Sequence, residues 1–168
     1  MRAQLLAVTV LAATIVSSAI AAPAPAPRLF MNQKEIMGLI DKAKAERKDN
    51  APIVAQPILS MAPYRAQLEY RPGTAPASLH EKDAELMVVL QGTGNVVTGG
   101  KLVDEKRNNA NNLGGTSITG GNSQAVVVGD MLIVPANTPH QVIPTGGAPV
   151  VLMTMHVPQP TPGWPPAN

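Results

Sequence analysis

The chain has 168 residues, 13 Lys and Arg against 11 Asp and Glu, a net charge of +2 and no cysteine. That length holds one domain with tails, and the missing thiols exclude disulfides, thiol catalysis and Cys-ligated zinc. There is no basic block, and only one Trp, one Phe and two Tyr, so neither an electrostatic nor a base-stacking nucleic-acid site is expected.

At the start, Arg2 precedes an uncharged apolar run over 5–20, which closes on Ala19-Ile20-Ala21. A positive residue, an apolar stretch and small residues at the cut read as a secretory signal peptide over 1–21. The run is about 16 residues and contains Ser17 and Ser18, short of the roughly 20 that span a bilayer. Cleavage after Ala21, no stable membrane insertion, and a periplasmic or secreted location are the expectation. A Pro/Ala-rich linker follows over 22–31.

A helix is predicted over 32–48. Asn32 caps it with Glu35 as its capping-box partner, and Ile36, Leu39, Ile40 and Ala43 fall on one face. After Pro52 the pattern turns to short strands rich in Val, Ile and Leu, punctuated by Gly and Pro. Candidates are 56–61, 64–71, 86–91, 94–98, 101–104, 116–119, 124–128, 130–134, 140–144 and 149–156. This spacing reads as an all-β sandwich or barrel over 53–157. Arg107–Gly115, with four Asn and two Gly, is expected to be a loop, and 102–123 to be the most mobile part of the barrel. A Pro-rich tail over 158–168 carries Trp164.

Of the ionisable residues, His80, Glu85 and His140 stand out. His80 and Glu85 lie across a predicted turn, and His140 opens a strand after Pro135-Ala136-Asn137-Thr138-Pro139. Two imidazoles and a carboxylate suit Zn, Fe, Mn, Ni or Cu, and leave positions open for a substrate. On spacing alone, scattered surface residues remain the competing reading.

Gly73, Ser78-Leu79-His80, four residues, Glu85, six residues and Gly92 resemble the first motif of the cupin family. Gly129, five residues, Pro135-Ala136-Asn137, two residues and His140 resemble the second, with 36 residues between Gly92 and Gly129. The resemblance covers about 65–157. It implies a cupin-type double-stranded β-helix (jelly-roll) barrel with one N-terminal α-helix. It also implies one divalent transition metal ion (Zn, Cu, Fe, Ni or Mn) on His80, Glu85 and His140. The family has His-x-His where this chain has Ser78 and His80; a one-residue gap instead sets His80 and Lys82 at the two positions, so one histidine is missing either way. Asn137 replaces a family glycine, which suits a left-handed residue, and Pro144 replaces the trailing Asn.

The reading is a secreted metal-binding cupin acting on or binding a small polar molecule. The alternatives are a metal-free small-molecule-binding module or a structural oligomer; family barrels often pair, so a homodimer is included. Fold does not select the reaction, and whether the chain is an enzyme stays open. Arg65, Glu69 and Arg71 share one face of a predicted strand, which is solvent or the barrel mouth, with the surface favoured; His156 is expected at the surface. Tyr64 and Tyr70 are expected in the core or at the rim, and Met87, Met131, Met153 and Met155 as core filler.

Overall fold

The computed structural model describes residues 26–159. The expected signal peptide, its cut after Ala21, most of the linker, and Trp164 with most of the Pro-rich tail lie outside the described residues. No helix among the described residues is long and apolar enough to cross a membrane.

Helix α1 (Gln33–Glu46) begins at Asn32, whose side chain accepts from the Glu35 backbone N–H while the Glu35 carboxylate accepts from the Asn32 N–H. This reciprocal capping box satisfies two of the amides that a helix start leaves unpaired. Thirteen strands follow. They are β1 (Val54–Met61), β2 (Tyr64–Arg71), β3 (Ala77–His80), β4 (Asp83–Gln91), β5 (Gly94–Thr98), β6 (Lys101–Val103) and β7 (Lys106–Asn109), then β8 (Asn112–Gly115), β9 (Ser117–Thr119), β10 (Asn122–Val126), β11 (Met131–Val134), β12 (His140–Pro144) and β13 (Val150–Pro158).

They form a five-stranded sheet ordered β1-β2-β13-β4-β11, a six-stranded sheet ordered β10-β5-β12-β3-β8-β7, and a β6-β9 pair. The assigned ladders are antiparallel. The two larger sheets face each other across one core. Met87, Val89, Val134, Val150 and Leu152 come from the first and Val96, Val126 and Val142 from the second. Each is at most 3% exposed. Strand alternation produces this: on β4, Glu85, Met87 and Val89 point in, and Leu86, Val88 and Leu90 point out.

The outer face of the five-stranded sheet has its own apolar layer. Ile40 and Ala43 of α1 pack on Ile58, Ala66, Leu68, Tyr70 and Val151, flanked by Met153 and Met155. The helix predicted as amphipathic therefore closes one face of the sheet, and Gln56, buried on that face, is satisfied by Lys42 and Glu46 of α1.

Three strands escape the sequence pattern: β3, β7 and β8. The stretch expected as a loop, Arg107–Gly115, is instead most of a hairpin, with Arg107 opposite Leu113 and Asn109 opposite Asn112. The Asn residues occupy turn and ladder positions there, and β3 extends the ladder from the other side. In β7 and β8 backbone pairing with a neighbour, not side-chain burial, makes the strand; β3 buries Ala77 and Leu79 but is only four residues long, too short for its alternation to stand out. Two placements also change. Glu69 and Arg71 are 6% exposed, not at the surface, and Met131 is 66% exposed, not core filler. Tyr70 is core, and Tyr64 is exposed at the rim.

Gly92 has φ +82°, and a Cβ there would stand 2.2 Å from the carbonyl oxygen of Pro149. Gly129 has φ +93° with open space around it. We expect Gly129→Ala to cost only the left-handed penalty, about 1–2 kcal/mol, and Gly92→Ala to cost more, because backbone must move. Urea unfolding of both variants checks the order; equal losses would refute it.

Candidate metal centre

Each sheet delivers two side chains to the same place. His80 ends β3 and His140 opens β12, both in the six-stranded sheet; Glu85 lies on β4 and His156 on β13, in the five-stranded sheet. His156 and Glu85 are direct cross-strand partners, so their side chains share a face. His156 also shares its face with Val150, Leu152 and Thr154, all buried. That face is the barrel interior.

Glu85 is the centre of the cluster, 3% exposed. Its Oε2 lies 2.9 Å from His140 Nε2 and 3.3 Å from His80 Nε2. Yet this buried oxygen accepts no hydrogen bond. The two contacts become ion pairs when the rings are protonated. His80 and His140 stand with ring centroids 5.1 Å apart.

The opposite edges of both rings explain the arrangement. His140 Nδ1 is 3.2 Å from the carbonyl oxygen of Thr138. A carbonyl only accepts, so Nδ1 carries a proton, and in the neutral ring Nε2 is left with its lone pair. His80 Nδ1 is 2.7 Å from Asn112 Oδ1, again an acceptor. Two Nε2 lone pairs and one unsatisfied carboxylate oxygen thus come together in a nearly dry site. Among the described residues, the group whose donor atoms converge closely enough to hold an ion is His80, Glu85 and His156, with His140 beside it against Glu85; outer hydrogen bonds of the kind made by His80 and His140 orient metal-ligating histidines.

His156 completes the group. Donor atoms of His80, Glu85 and His156 all lie within 4.8 Å of one another, and the His156 ring meets His80 edge-on at 4.3 Å between centroids. Its Nδ1 stands 4.0 Å from Asp83 Oδ2, too far for a hydrogen bond. His156 is therefore not a remote surface residue. The signal that would have found it is the two-residue period linking it to Val150 and Leu152. Of the other residues at the missing histidine position, Ser78 sits directly across from His140 in the ladder. Lys82 lies in the turn after β3 and is exposed.

Burial alone would push the Glu85 carboxyl up; the imidazoles of His140 and His80 outweigh it and hold it well below the usual carboxylate range. Burial likewise disfavours charge on His80, but contact with Glu85 and Asn112 wins and raises its pKa.

No family model and no curated protein matches the chain. Solved structures do. A Bacillus halodurans protein, BH2720, superposes with a TM-score of 0.52 at 19% identity, over 81% of this chain and 86% of that one. An uncharacterized conserved protein with a double-stranded β-helix domain from Klebsiella pneumoniae gives 0.51 at 15% identity, over 71% and 86%. The cupin domain of Schizosaccharomyces pombe Cnp3 gives 0.49 at 13% identity, over 69% and 72%. At these identities the likeness concerns the fold, which is a cupin-type double-stranded β-helix.

The two shifts carry a stability consequence for the metal-free protein. A depressed Glu85 stabilises the fold above the ordinary carboxylate pKa of about 4.3, and the effect is lost as pH falls through its lower folded value. A raised His80 stabilises below about 6.5, and the effect is lost as pH rises through its higher folded value. The stability of wild type relative to Glu85→Gln should peak between those limits and shrink on both sides. Urea midpoints across pH, with chelator present, read it; a pH-independent difference would contradict the assignment.

Proposed function

We propose that this chain is an exported metal-binding cupin that binds or acts on a small polar molecule at the cluster of His80, Glu85, His140 and His156. The observation that carries the reading is the buried Glu85 Oε2 without a hydrogen bond, beside two imidazoles whose Nδ1 protons are already committed. The residues present fit a divalent transition metal: imidazole nitrogens and one carboxylate suit that class of ion. His156 stands in for the histidine missing from the first motif. When bound, such an ion supplies Lewis-acid polarisation of an oxygen on the bound molecule.

The chain's own residues do the rest. Glu85 carries negative charge in a site with little water, where it attracts a cation strongly. The Thr138 carbonyl holds the neutral His140 ring so that its Nε2 is the free atom. Below the cluster Met87 and Thr154 are fully buried and opposite each other, so water reaches the ligands from one side only. Scarcity of aromatic rings argues for a ligand recognised by polar contacts and not by stacking. Export is supported by the apolar run over 5–20 that closes on Ala19-Ile20-Ala21.

The alternative, a structural oligomer of the same fold, has one observation in its favour. Met131 and Ile133 on the edge strand β11 are 66% and 61% exposed, beside exposed Val127 and Val128. Sedimentation of the purified chain bears on it.

Titration calorimetry with first-row divalent ions tests the metal reading. Wild type should bind one ion, and Glu85→Gln and His140→Ala should each weaken binding by more than about a hundredfold, beyond the loss typical of an outer partner. His156→Ala should weaken it by at least about tenfold, in place of the unchanged binding a surface residue would give. A wild-type chain that takes up none of these ions would turn the reading to the metal-free module. Oxygen uptake and ultraviolet loss with small carbonyl acids and catechols then separate an enzyme from a binder.

A further inference from the structure

The Asn-rich stretch is not absorbed by the metal reading, yet its hairpin ends against the centre. Asn112 opens β8 directly opposite His80 in the ladder, and its Oδ1 lies 2.7 Å from His80 Nδ1. Two further grips hold the hairpin at this place. The Glu81 backbone N–H donates to the Asn111 carbonyl at 2.9 Å. The Arg107 guanidinium donates from Nη1 and Nη2 to the two carboxylate oxygens of Glu81, at 2.8 and 2.9 Å. Glu81 follows His80 in the chain, so the hairpin is fastened to the residue beside the ligand and to the ligand itself.

This contact differs in kind from its counterpart. His140 Nδ1 rests on a backbone carbonyl two residues away, which no substitution removes. His80 Nδ1 rests on a side chain 32 positions away. A neutral imidazole has two tautomers, and only the one protonated at Nδ1 presents a lone pair at Nε2. Without an acceptor at Nδ1, a proton on Nε2 would face Glu85 and compete with any cation there.

We propose that Asn112 is a positioning residue of the metal centre: its Oδ1 holds His80 as the Nδ1-protonated tautomer, so that Nε2 is free to bind the ion. The proposal rests on the metal reading for its purpose but not for its test. The hairpin that carries Asn112 is then a part of the site, fastened from outside by Arg107 and Glu81.

The test has two readouts on wild type, Asn112→Ala and Asn112→Asp, the last of which keeps an acceptor oxygen. Nitrogen-15 NMR of the His80 ring in metal-free protein, at alkaline pH, reads the tautomer. Wild type and Asn112→Asp should carry the proton on Nδ1, and Asn112→Ala should lose that preference. Zn²⁺ titration should give about a ten- to hundredfold weaker affinity for Asn112→Ala and rescue in Asn112→Asp. A wild-type His80 protonated on Nε2 overturns the proposal whether or not Asn112→Ala folds. So does an Asn112→Ala protein with the wild-type tautomer or the wild-type affinity. If wild type binds no Zn²⁺ or other first-row ion, the metal reading fails while the tautomer still decides the role of Asn112.

Discussion

A carboxylate that is 3% exposed is an expensive thing to keep inside a β-barrel. Removing it from water costs several kcal/mol unless charge or hydrogen bonds replace the lost hydration. The surroundings of Glu85 are arranged around that cost. Two imidazoles stand within 3.3 Å, a third comes from the adjacent strand, and each of the two closest is itself anchored at its far nitrogen. The strand pairing that places them is the same pairing that builds the apolar core one step deeper, where Met87 faces Thr154 and Val89 faces Leu152. The pair of Glu85 and His156 and the core pairs below it are successive rows of one ladder, so the core's rigidity is also theirs.

A second buried charge is handled differently. Glu69 and Arg71 lie two apart on β2 and pair within the interior, with Arg71 donating to Glu69 Oε2 at 2.6 and 3.0 Å. Gln67 donates to the other carboxylate oxygen at 2.9 Å, and Thr154 reaches it at 3.4 Å. This carboxylate is saturated by protein donors, whereas Glu85 is not. The contrast between the two glutamates, in the same barrel and at similar burial, is the clearest local sign of which one is built to hold something else.

That contrast also explains what could be read in advance. His80, Glu85 and His140 were legible because motif spacing ties them to turns, and Gly92 and Asn137 because left-handed backbone restricts the residue; Asn137 has φ 59°. His156 was missed as a member of the group because β13 carries apolar residues on both faces, so the period that links it to Val150 and Leu152 does not by itself say which face is inward. Glu69 and Arg71 look like surface residues to any reading of hydropathy, because a mutual ion pair leaves no apolar trace in sequence. The strands β7 and β8 were missed because Asn109, Asn112, Gly114 and Gly115 contribute backbone pairing and few apolar side chains to the sheet, and β3 because its four residues carry only Ala77 and Leu79 as buried apolar side chains. Helix α1 and the strands over 64–71, 94–98 and 140–144 were plain, because periodicity, caps and breakers agree there.

The four donor residues are split evenly between two sheets that are separate ladders. Neither sheet by itself holds more than half of the set, and the members span His80 to His156, nearly the whole barrel in sequence. A partly folded chain therefore offers an ion only isolated imidazoles and a carboxylate, each weak and unselective. On the proposed metal reading, the full donor set would exist only once the two sheets are packed together. An ion held there would be selected by the folded site, through the fixed positions of its rings, and not by the unfolded chain.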